Sequence, residues 1–307
     1  MCYSAMIVES YQRYLRMTGA EMDLDQFMEI IGFRAAGAPL RIARAVDRWF
    51  EQPVSDRERA IRALIDQYRS AMTTRLEQEL FTQRKRLAGA ERKLAVKPTK
   101  AAAESARIAG GKIEKARRDL PLYTSDAPTP LDGRIFPFTY APVVIQDGGR
   151  RLLKLARYHC RQPGSPAEID RKFPGLYNAR RDNLQKFWRG QFGRTHALML
   201  CESFYENVER DGRNAVLHFR PRPAATMLVA CVYSQWTGAE GNLLSFAAIT
   251  DDPPPEVAAT GHDRMIISIR PENVERWLTP QGRSPQELQD ILEDRQVAYY
   301  EHELQAA

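Results

Sequence analysis

The most chemically versatile residue of this sequence is Cys2, which directly follows Met1. Removal of Met1 would leave Cys2 as the mature N-terminus, with an α-amine and a thiol on one residue. A free α-amine has a pKa of about 7.7–8.0 and a free thiol one of about 8.5, so both are partly reactive near neutral pH. Such an aminothiol condenses with an aldehyde to an imine and then closes a thiazolidine ring. The alternative is a cysteine at position 2 with no chemical role.

Three internal segments carry polar groups where their apolar neighbours predict hydrophobic ones. Asn178 and Arg180 follow Leu-Tyr, Glu206 ends the apolar run 196–207, and His262 lies two residues before Arg264 and a short apolar run. Each also has a structural interpretation. Asn178 would cap the next helix, Glu206 would be an exposed strand end paired with Arg264, and His262 would be an ordinary loop histidine.

Composition narrows the classes of protein to consider. The chain has 307 residues, of which 43% are hydrophobic and 27% charged, which is typical of one large or two modest globular domains. We expect no membrane span and no signal peptide, because no apolar run reaches the required length. The four cysteines are widely spaced and form no CxxC pair, so we predict no metal site, no cofactor and a reduced, cytoplasmic protein.

Positive charge is concentrated in one segment of the chain. Residues 84–118 hold 12 Lys or Arg and three Glu, a local charge of +9 against +6 for the whole chain. Ser55 with Glu58 predicts a capped helix start, and apolar residues then recur at a spacing of three to four. Pro98 interrupts this pattern, which predicts a coiled-coil-type helical hairpin over 55–120 with its tip near 97–100. Its basic residues are either a solvated face or a phosphate-contacting arm.

The remaining patterns predict an α+β fold. Helices are expected at 11–18, 22–33, 39–50, 271–278 and 284–292. Short strands are expected at 2–8, 138–145, 152–161, 196–207, 215–221, 227–236, 243–250 and 265–269. Many short strands with peripheral helices favour a β-rich core of mixed or antiparallel pairs. No internal repeat is evident.

The motifs named above occur in an order that resembles the SOS-response-associated peptidase (SRAP) family. The order is Met-Cys, then Asn-Ala-Arg, then Phe-Tyr-Glu ending an apolar strand, then His-Asp-Arg-Met, followed by MIISIRPENVERWL. The resemblance covers residues 1–8 and roughly 136–280. It implies an SRAP-like core from 1–20 and 130–307, with an insertion made of a helical part, 21–54, and the basic hairpin, 55–120.

The resemblance also implies a function. Members of the family bind single-stranded DNA at an abasic site and form a crosslink through the N-terminal cysteine, which shields the lesion. By this resemblance Glu206 is the acid and base, His262 assists ring opening and imine chemistry, and Asn178 orients the amine of Cys2. Met1 would leave by self-cleavage or through a separate aminopeptidase. The resemblance thus implies an SRAP-type autopeptidase and an abasic-site crosslinking or lyase activity.

The expected DNA contacts depart from the family pattern in two places. Tyr3 and Ser4 replace the usual Gly-Arg after the cysteine, and Arg157-Tyr158-His159 replaces a Trp-Gly stretch. The resemblance implies that Arg180 contacts a backbone phosphate and that Arg264 contributes to DNA binding. We also predict that Tyr158 stacks on a base and that Arg181 adds positive charge to this interface.

Two other classes of function fit the same residues. The first is a cysteine N-terminal-nucleophile peptidase or amidohydrolase, in which the α-amine is the base for its own thiol. The second is a structural DNA- or protein-binding module whose working surface is the hairpin. The oligomeric state does not follow from the sequence.

Overall fold

A computed structural model describes residues 4–8, 10–210 and 212–305. Its strands are β1 (Ser4–Ile7), β2 (Glu21–Met22), β3 (Arg41–Ile42), β4 (Arg134–Ile135), β5 (Thr139–Asp147), β6 (Arg150–Tyr158), β7 (Asn178–Arg180), β8 (His196–Arg210), β9 (Arg213–Arg222), β10 (Met227–Gly238), β11 (Gly241–Asp251), β12 (Met265–Ile266) and β13 (Tyr299–Leu304).

The helices lie around these strands and in one long projection. They are α1 (Tyr11–Thr18), α2 (Leu24–Ala35), α3 (Arg44–Arg48), α4 (Asp56–Val96), α5 (Lys100–Asp119), α6 (Pro121–Thr124), α7 (Ile169–Lys172), α8 (Pro255–Ala258), α9 (Val274–Leu278) and α10 (Pro285–Glu293). The predicted α+β class is therefore confirmed. None of the helices in the described ranges is long and apolar enough to cross a membrane.

Five strands close into a ring. β8 pairs with β10, β10 with β11, β11 with β6 in parallel, β6 with β5, and β5 pairs back to β8 through Val144 and Leu198. The first eight residues of β10 are all buried, as expected for a strand covered on both faces. This explains why its sequence is a nearly continuous apolar run rather than an alternating one.

The strand β8 continues past this ring and organises a second layer. Its outer half pairs with β9 on one edge and with β1 on the other, so that Ser4 lies opposite Tyr205 and Phe204 lies opposite Phe219. β13 then pairs with β9 and completes this side of the sheet. The sequence did not predict β13, whose residues Tyr-Tyr-Glu-His-Glu-Leu are mostly polar.

The helical hairpin is present as predicted. Ser55 and Glu58 form a reciprocal capping box at the start of α4, and Thr99 caps α5 after the break at Lys97. Ile61 and Ile65 of α4 pack into the main core. A smaller hydrophobic cluster lies between α4 and α5, formed by Leu80, Ile113 and Ala116 with Leu76, Leu87 and Leu120 around it.

Residues 21–54 differ from the prediction. The expected helix over 39–50 is instead β3 followed by the short α3, because Arg41 and Ile42 pair in parallel with Thr139 and Tyr140. Phe27 and Phe50 from this stretch pack in the main core. The division of the insertion into a helical part, 21–54, and the hairpin, 55–120, remains a prediction.

Candidate functional site

The predicted nucleophile Cys2, with Met1 and Tyr3, lies outside the described residues. The first described residue is Ser4, which pairs with Tyr205, the residue directly before Glu206. Arg134 donates a hydrogen bond from Nε to Ser4 Oγ at 3.1 Å, and its guanidinium lies 3.7 Å from the centre of the Tyr205 ring. The strand that leads from Cys2 is thus fixed next to the Glu206 segment by a cation that the sequence analysis missed.

Glu206 and His262 are brought together, although 56 residues separate them. Oε2 of Glu206 lies 2.9 Å from Nε2 of His262, and the carboxylate is fully buried. Glu206 points to the core face of β8, where its neighbours Phe204 and Leu217 are also fully buried. Neither carboxylate oxygen makes a hydrogen bond of regular geometry with the described residues. The predicted acid and base are therefore both buried and adjacent to each other.

The contacts of His262 with Arg264 orient its ring. Nδ1 lies 2.8 Å from the carbonyl oxygen of Arg264 and 3.4 Å from its backbone nitrogen. Nε2 is therefore the ring nitrogen that faces Glu206. The arrangement can therefore accept or donate a proton in a dry environment.

Asn178 reaches the same end of the core from another element. It begins β7, which runs parallel to β11 with Asn178 beside Ala248 and Arg180 beside Thr250. The strand β12, three residues after His262, pairs with Thr250 and Asp251 on β11. Asn178 is buried. The C-terminal end of β11 therefore positions both the Asn178 segment and the His262 segment.

The four predicted DNA contacts lie in different environments. Arg180 is half exposed and pairs with Asp182, and Arg264 is mostly covered with its Nε 3.6 Å from Asp263. Arg181 does not supply free positive charge, because its guanidinium is held by Asp251 at 2.9 Å and Glu293 at 2.6 Å.

The structure contradicts the prediction that Tyr158 stacks on a base. Its side chain has no exposed surface and packs against Phe246 and Tyr177, with ring centres 5.1 and 5.5 Å away. A ring enclosed in this way has no face on which a nucleotide base can stack. The residue is in the core because β6, to which it belongs, is a strand of the closed ring.

An exposed aromatic ring lies next to Tyr158. Phe138 is 39% exposed and stacks on the imidazole of His159, with ring centres 4.3 Å apart and 18° between planes. Its φ of +70° is in the left-handed region, which costs a non-glycine residue about 1–2 kcal/mol. Such an outlier at an exposed aromatic points to a functional constraint. The Phe-Pro-Phe sequence was its only signal, and backbone torsion does not follow from sequence.

The internal cysteines are unsuited to thiol chemistry. Cys160, Cys201 and Cys231 are all buried and free. Burial raises the pKa of Cys160 to about 12. It also raises the pKa of Cys201 and of Cys231 well above that of an ordinary thiol. Within the described ranges no group of His, Cys, Asp or Glu has the arrangement of a metal site.

A second histidine cluster lies on the other face of β8. Ser203 Oγ is 2.7 Å from Nε2 of His218, and Nδ1 of His218 is 3.3 Å from Oε1 of Glu303. Arg220 also contacts that carboxylate oxygen, at 2.8 Å. The cluster lines an open cavity of about 460 Å³. It could not be predicted from the sequence, because its members come from three strands.

Comparison with known proteins adds relatives of similar sequence. The abasic site processing protein YobE of Bacillus subtilis is 29% identical over 153 residues, which are 48% of this chain and 68% of YobE. The abasic site processing protein YoqW, from Bacillus subtilis and from Bacillus phage SPbeta, is 27% identical over 154 residues, 49% of this chain and 67% of the relative.

Solved structures give weaker matches. A protein from Bordetella bronchiseptica aligns with a TM-score of 0.48 at 17% identity over 59% of this chain and 90% of that chain. A protein from Bacteroides thetaiotaomicron aligns with a TM-score of 0.47 at 16% identity over 55% of this chain and 77% of that chain.

The family comparison covers more of the chain. The sequence profile described as SOS response associated peptidase (SRAP) matches residues 112–306, well over half of the sequence. The match includes the segments of Asn178, Glu206 and His262, and it begins inside α5, so that most of the hairpin lies outside it. The chain therefore belongs to the SRAP family.

Proposed function

We propose that this protein recognises abasic sites in single-stranded DNA and forms a thiazolidine crosslink to them through the mature N-terminal Cys2. The observation that carries the proposal is the buried Glu206–His262 pair beside the strand that leads from Cys2. Membership of the SRAP family and relatives named abasic site processing proteins support it. The inert environment of the internal cysteines leaves thiol chemistry to Cys2.

The distance along the chain allows this assignment. Cys2 is two residues from Ser4, and two residues of extended chain span at most about 7 Å. Ser4 is opposite Tyr205, and Glu206 is the next residue along β8. A segment of this length is short enough for the α-amine and thiol of Cys2 to reach the Glu206–His262 pair.

The proposed reaction is a condensation that releases one water. A proton is removed from the anomeric hydroxyl of the closed deoxyribose and one is delivered to the ring oxygen, which opens the sugar to an aldehyde. The α-amine of Cys2 adds to the aldehyde carbon, and the carbinolamine loses water to give an imine. The thiol sulfur then adds to the imine carbon while its proton passes to nitrogen. Glu206 and His262 take up and return these protons.

The other site residues position the reactants. Asn178 orients the amine by hydrogen bonding, and Arg180 and Arg264 contact backbone phosphates, for which guanidinium geometry is well suited. Phe138 takes over the base-stacking role predicted for Tyr158. An exposed ring prefers unstacked bases, which favours single-stranded over duplex DNA. We also propose that Met1 is removed before the reaction, by the protein itself or by an aminopeptidase.

The experiment uses protein whose loss of Met1 has been verified by intact mass. It is mixed with a single-stranded oligonucleotide that carries one abasic site, and the products are resolved on a denaturing gel and by mass spectrometry. We expect an adduct of protein plus oligonucleotide minus one water, which is absent for Cys2→Ala. Processed wild-type protein that yields no adduct would refute the proposal. Amide hydrolysis that depends on Cys2, without any adduct, would instead favour the N-terminal-nucleophile hydrolase.

The role of Phe138 is tested separately. Phe138→Gly removes the ring and relieves the left-handed strain, so we expect unchanged or higher thermal stability together with about tenfold weaker binding to single-stranded DNA. Phe187→Ala, which also removes a ring of 39% exposure, is the matched control and should bind normally. Equal affinities for the two variants would exclude stacking on Phe138.

A further inference from the structure

The outer part of the hairpin carries the net charge of the whole chain. Residues 84–107, from α4 through the tip into α5, contain eight Lys or Arg and two Glu, which gives +6. The chain total is also +6, so the other 283 residues sum to zero. α4 has 41 residues and is about 60 Å long, and this segment is its outer third with the first turns of α5.

These outer charges lack the acidic partners that charged helices normally have. Only one ion pair joins residues within 84–107, that of Arg107 with Glu104. Near the base of α4 the pattern is the opposite, since Arg59 pairs with Asp56, Arg62 with Asp66, and Arg69 with Asp126. Runs such as 84–86 and 92–93 place like charges side by side. Adjacent residues do not face each other on a helix, but none of these five cations has an Asp or Glu three or four positions away, where it could form a helical ion pair. Their charge is therefore not compensated within the helix.

The two helices form a groove at this point. It has a volume of about 550 Å³ and is lined by Lys85, Arg86 and Lys93 from α4 and by Thr99 and Ser105 on the α5 side, with small residues at its floor. Arg86 is held across the groove by a hydrogen bond from Nε to Ser105 Oγ at 3.0 Å. A Cβ atom built on Gly89 would meet nothing within 4 Å. The groove is therefore open, and it offers three cations and two hydroxyls.

We infer that this groove binds the phosphodiester backbone of DNA at a distance from the crosslinking site. Cations and hydroxyls without aromatic rings suit phosphates rather than bases. The groove begins about 45 Å along α4 from its start, and it lies in the part of the hairpin outside the family match. The choice of DNA as the polyanion rests on the proposed function. The hairpin then adds affinity that does not depend on sequence and is sensitive to salt.

The test compares two variants that lose the same charge from the same hairpin. Lys85→Gln, Arg86→Gln and Lys93→Gln together empty the groove of cations. Lys112→Gln, Lys115→Gln and Arg118→Gln together remove three cations that are paired with Glu79 or Asp119. Binding to an undamaged 40-nucleotide single strand is measured between 50 and 200 mM NaCl, and circular dichroism checks helicity.

We expect the groove variant to flatten the plot of log affinity against log salt by about 2, since each phosphate contact contributes about 0.7 for single strands. The control should keep the wild-type slope. Equal slopes for all three proteins, or equal flattening in the control, would overturn the inference. Crosslinking at saturating protein should be the same for the groove variant and wild type. A wild-type protein that fails to crosslink would count against the proposed function and leave the groove result standing.

Discussion

The two histidine clusters on opposite faces of β8 use similar residues in different surroundings. On the core face, His262 meets a carboxylate that is fully buried. On the outer face, His218 lies between Ser203 and a carboxylate, Glu303, that is half exposed and also bound by Arg220. The residues Ser203 and Glu206 are three apart on one strand, so they point to opposite sides.

The two clusters differ in how far their carboxylates are exposed to solvent, and this exposure determines how each carboxylate is stabilised. In the outer cluster Glu303 is half exposed and paired with Arg220, and burial together with Arg220 lowers the pKa of His218, which favours the neutral imidazole. In the inner pair Glu206 is fully buried, and no lysine or arginine of the described residues forms an ion pair with it. We therefore expect the inner pair to serve the reaction and the outer cluster to serve stability.

The largest expected effect tests this division directly. Glu206→Gln keeps the shape of the side chain but removes the proton acceptor, so the rate constant for crosslinking should fall by about 100-fold or more. Glu202→Gln, at a half-exposed residue of the same strand that pairs with Arg13, is the control and should react normally. The measurement is a single-turnover time course on denaturing gels. A wild-type rate for Glu206→Gln would assign the chemistry elsewhere.

The next effect concerns stability. His262→Ala leaves a buried carboxylate without its partner, which should lower the free energy of unfolding by about 3 kcal/mol. His218→Ala leaves Glu303 with Arg220 and with solvent, and about 1 kcal/mol is expected. Urea unfolding of both variants provides the comparison. If His218→Ala costs as much as His262→Ala, the contrast in desolvation is wrong.

A smaller effect separates packing from chemistry in the outer cluster. Ser203→Ala removes the hydroxyl that is 2.7 Å from His218, and the loss of this hydrogen bond should cost about 1 kcal/mol of stability. The rate of crosslinking should not change, because Ser203 faces away from Glu206. A large loss of crosslinking by this stable variant would show that the outer cavity takes part in the reaction.

The smallest effect is the pH dependence of stability due to His218. Its pKa is lowered in the folded protein, mainly by burial and then by Arg220. The unfolded chain therefore takes up the proton more readily, and stability should fall as the pH drops below about 6.5, the pKa of an unperturbed histidine. His218→Asn should make the decline shallower between pH 6.5 and 5. A steeper decline in the variant would reverse the sign assigned here.

The hairpin and the five strands of the ring could be predicted from sequence because their signals are local. These signals are the capping pair Ser55 and Glu58, the break at Pro98 and the continuous apolar run of β10. Each of them involves only residues that are close together in the sequence. β3 and β13 were missed because a short or polar strand forms only when a distant partner is present, here Thr139–Tyr140 and the edge of β9. Propensity over such segments is too weak to reveal the pairing.

The site divides in the same way. The residue types and their order in the sequence determined the prediction that Cys2, Asn178, Glu206 and His262 belong to one chemistry, because an N-terminal aminothiol needs polar partners that apolar segments do not otherwise contain. Only the tertiary structure decided that Tyr158 is enclosed, that Arg181 is neutralised by Asp251 and Glu293, and that Phe138 is exposed in a left-handed conformation. Burial, ion pairing and backbone torsion at these positions depend on contacts between distant segments, which a local pattern does not encode.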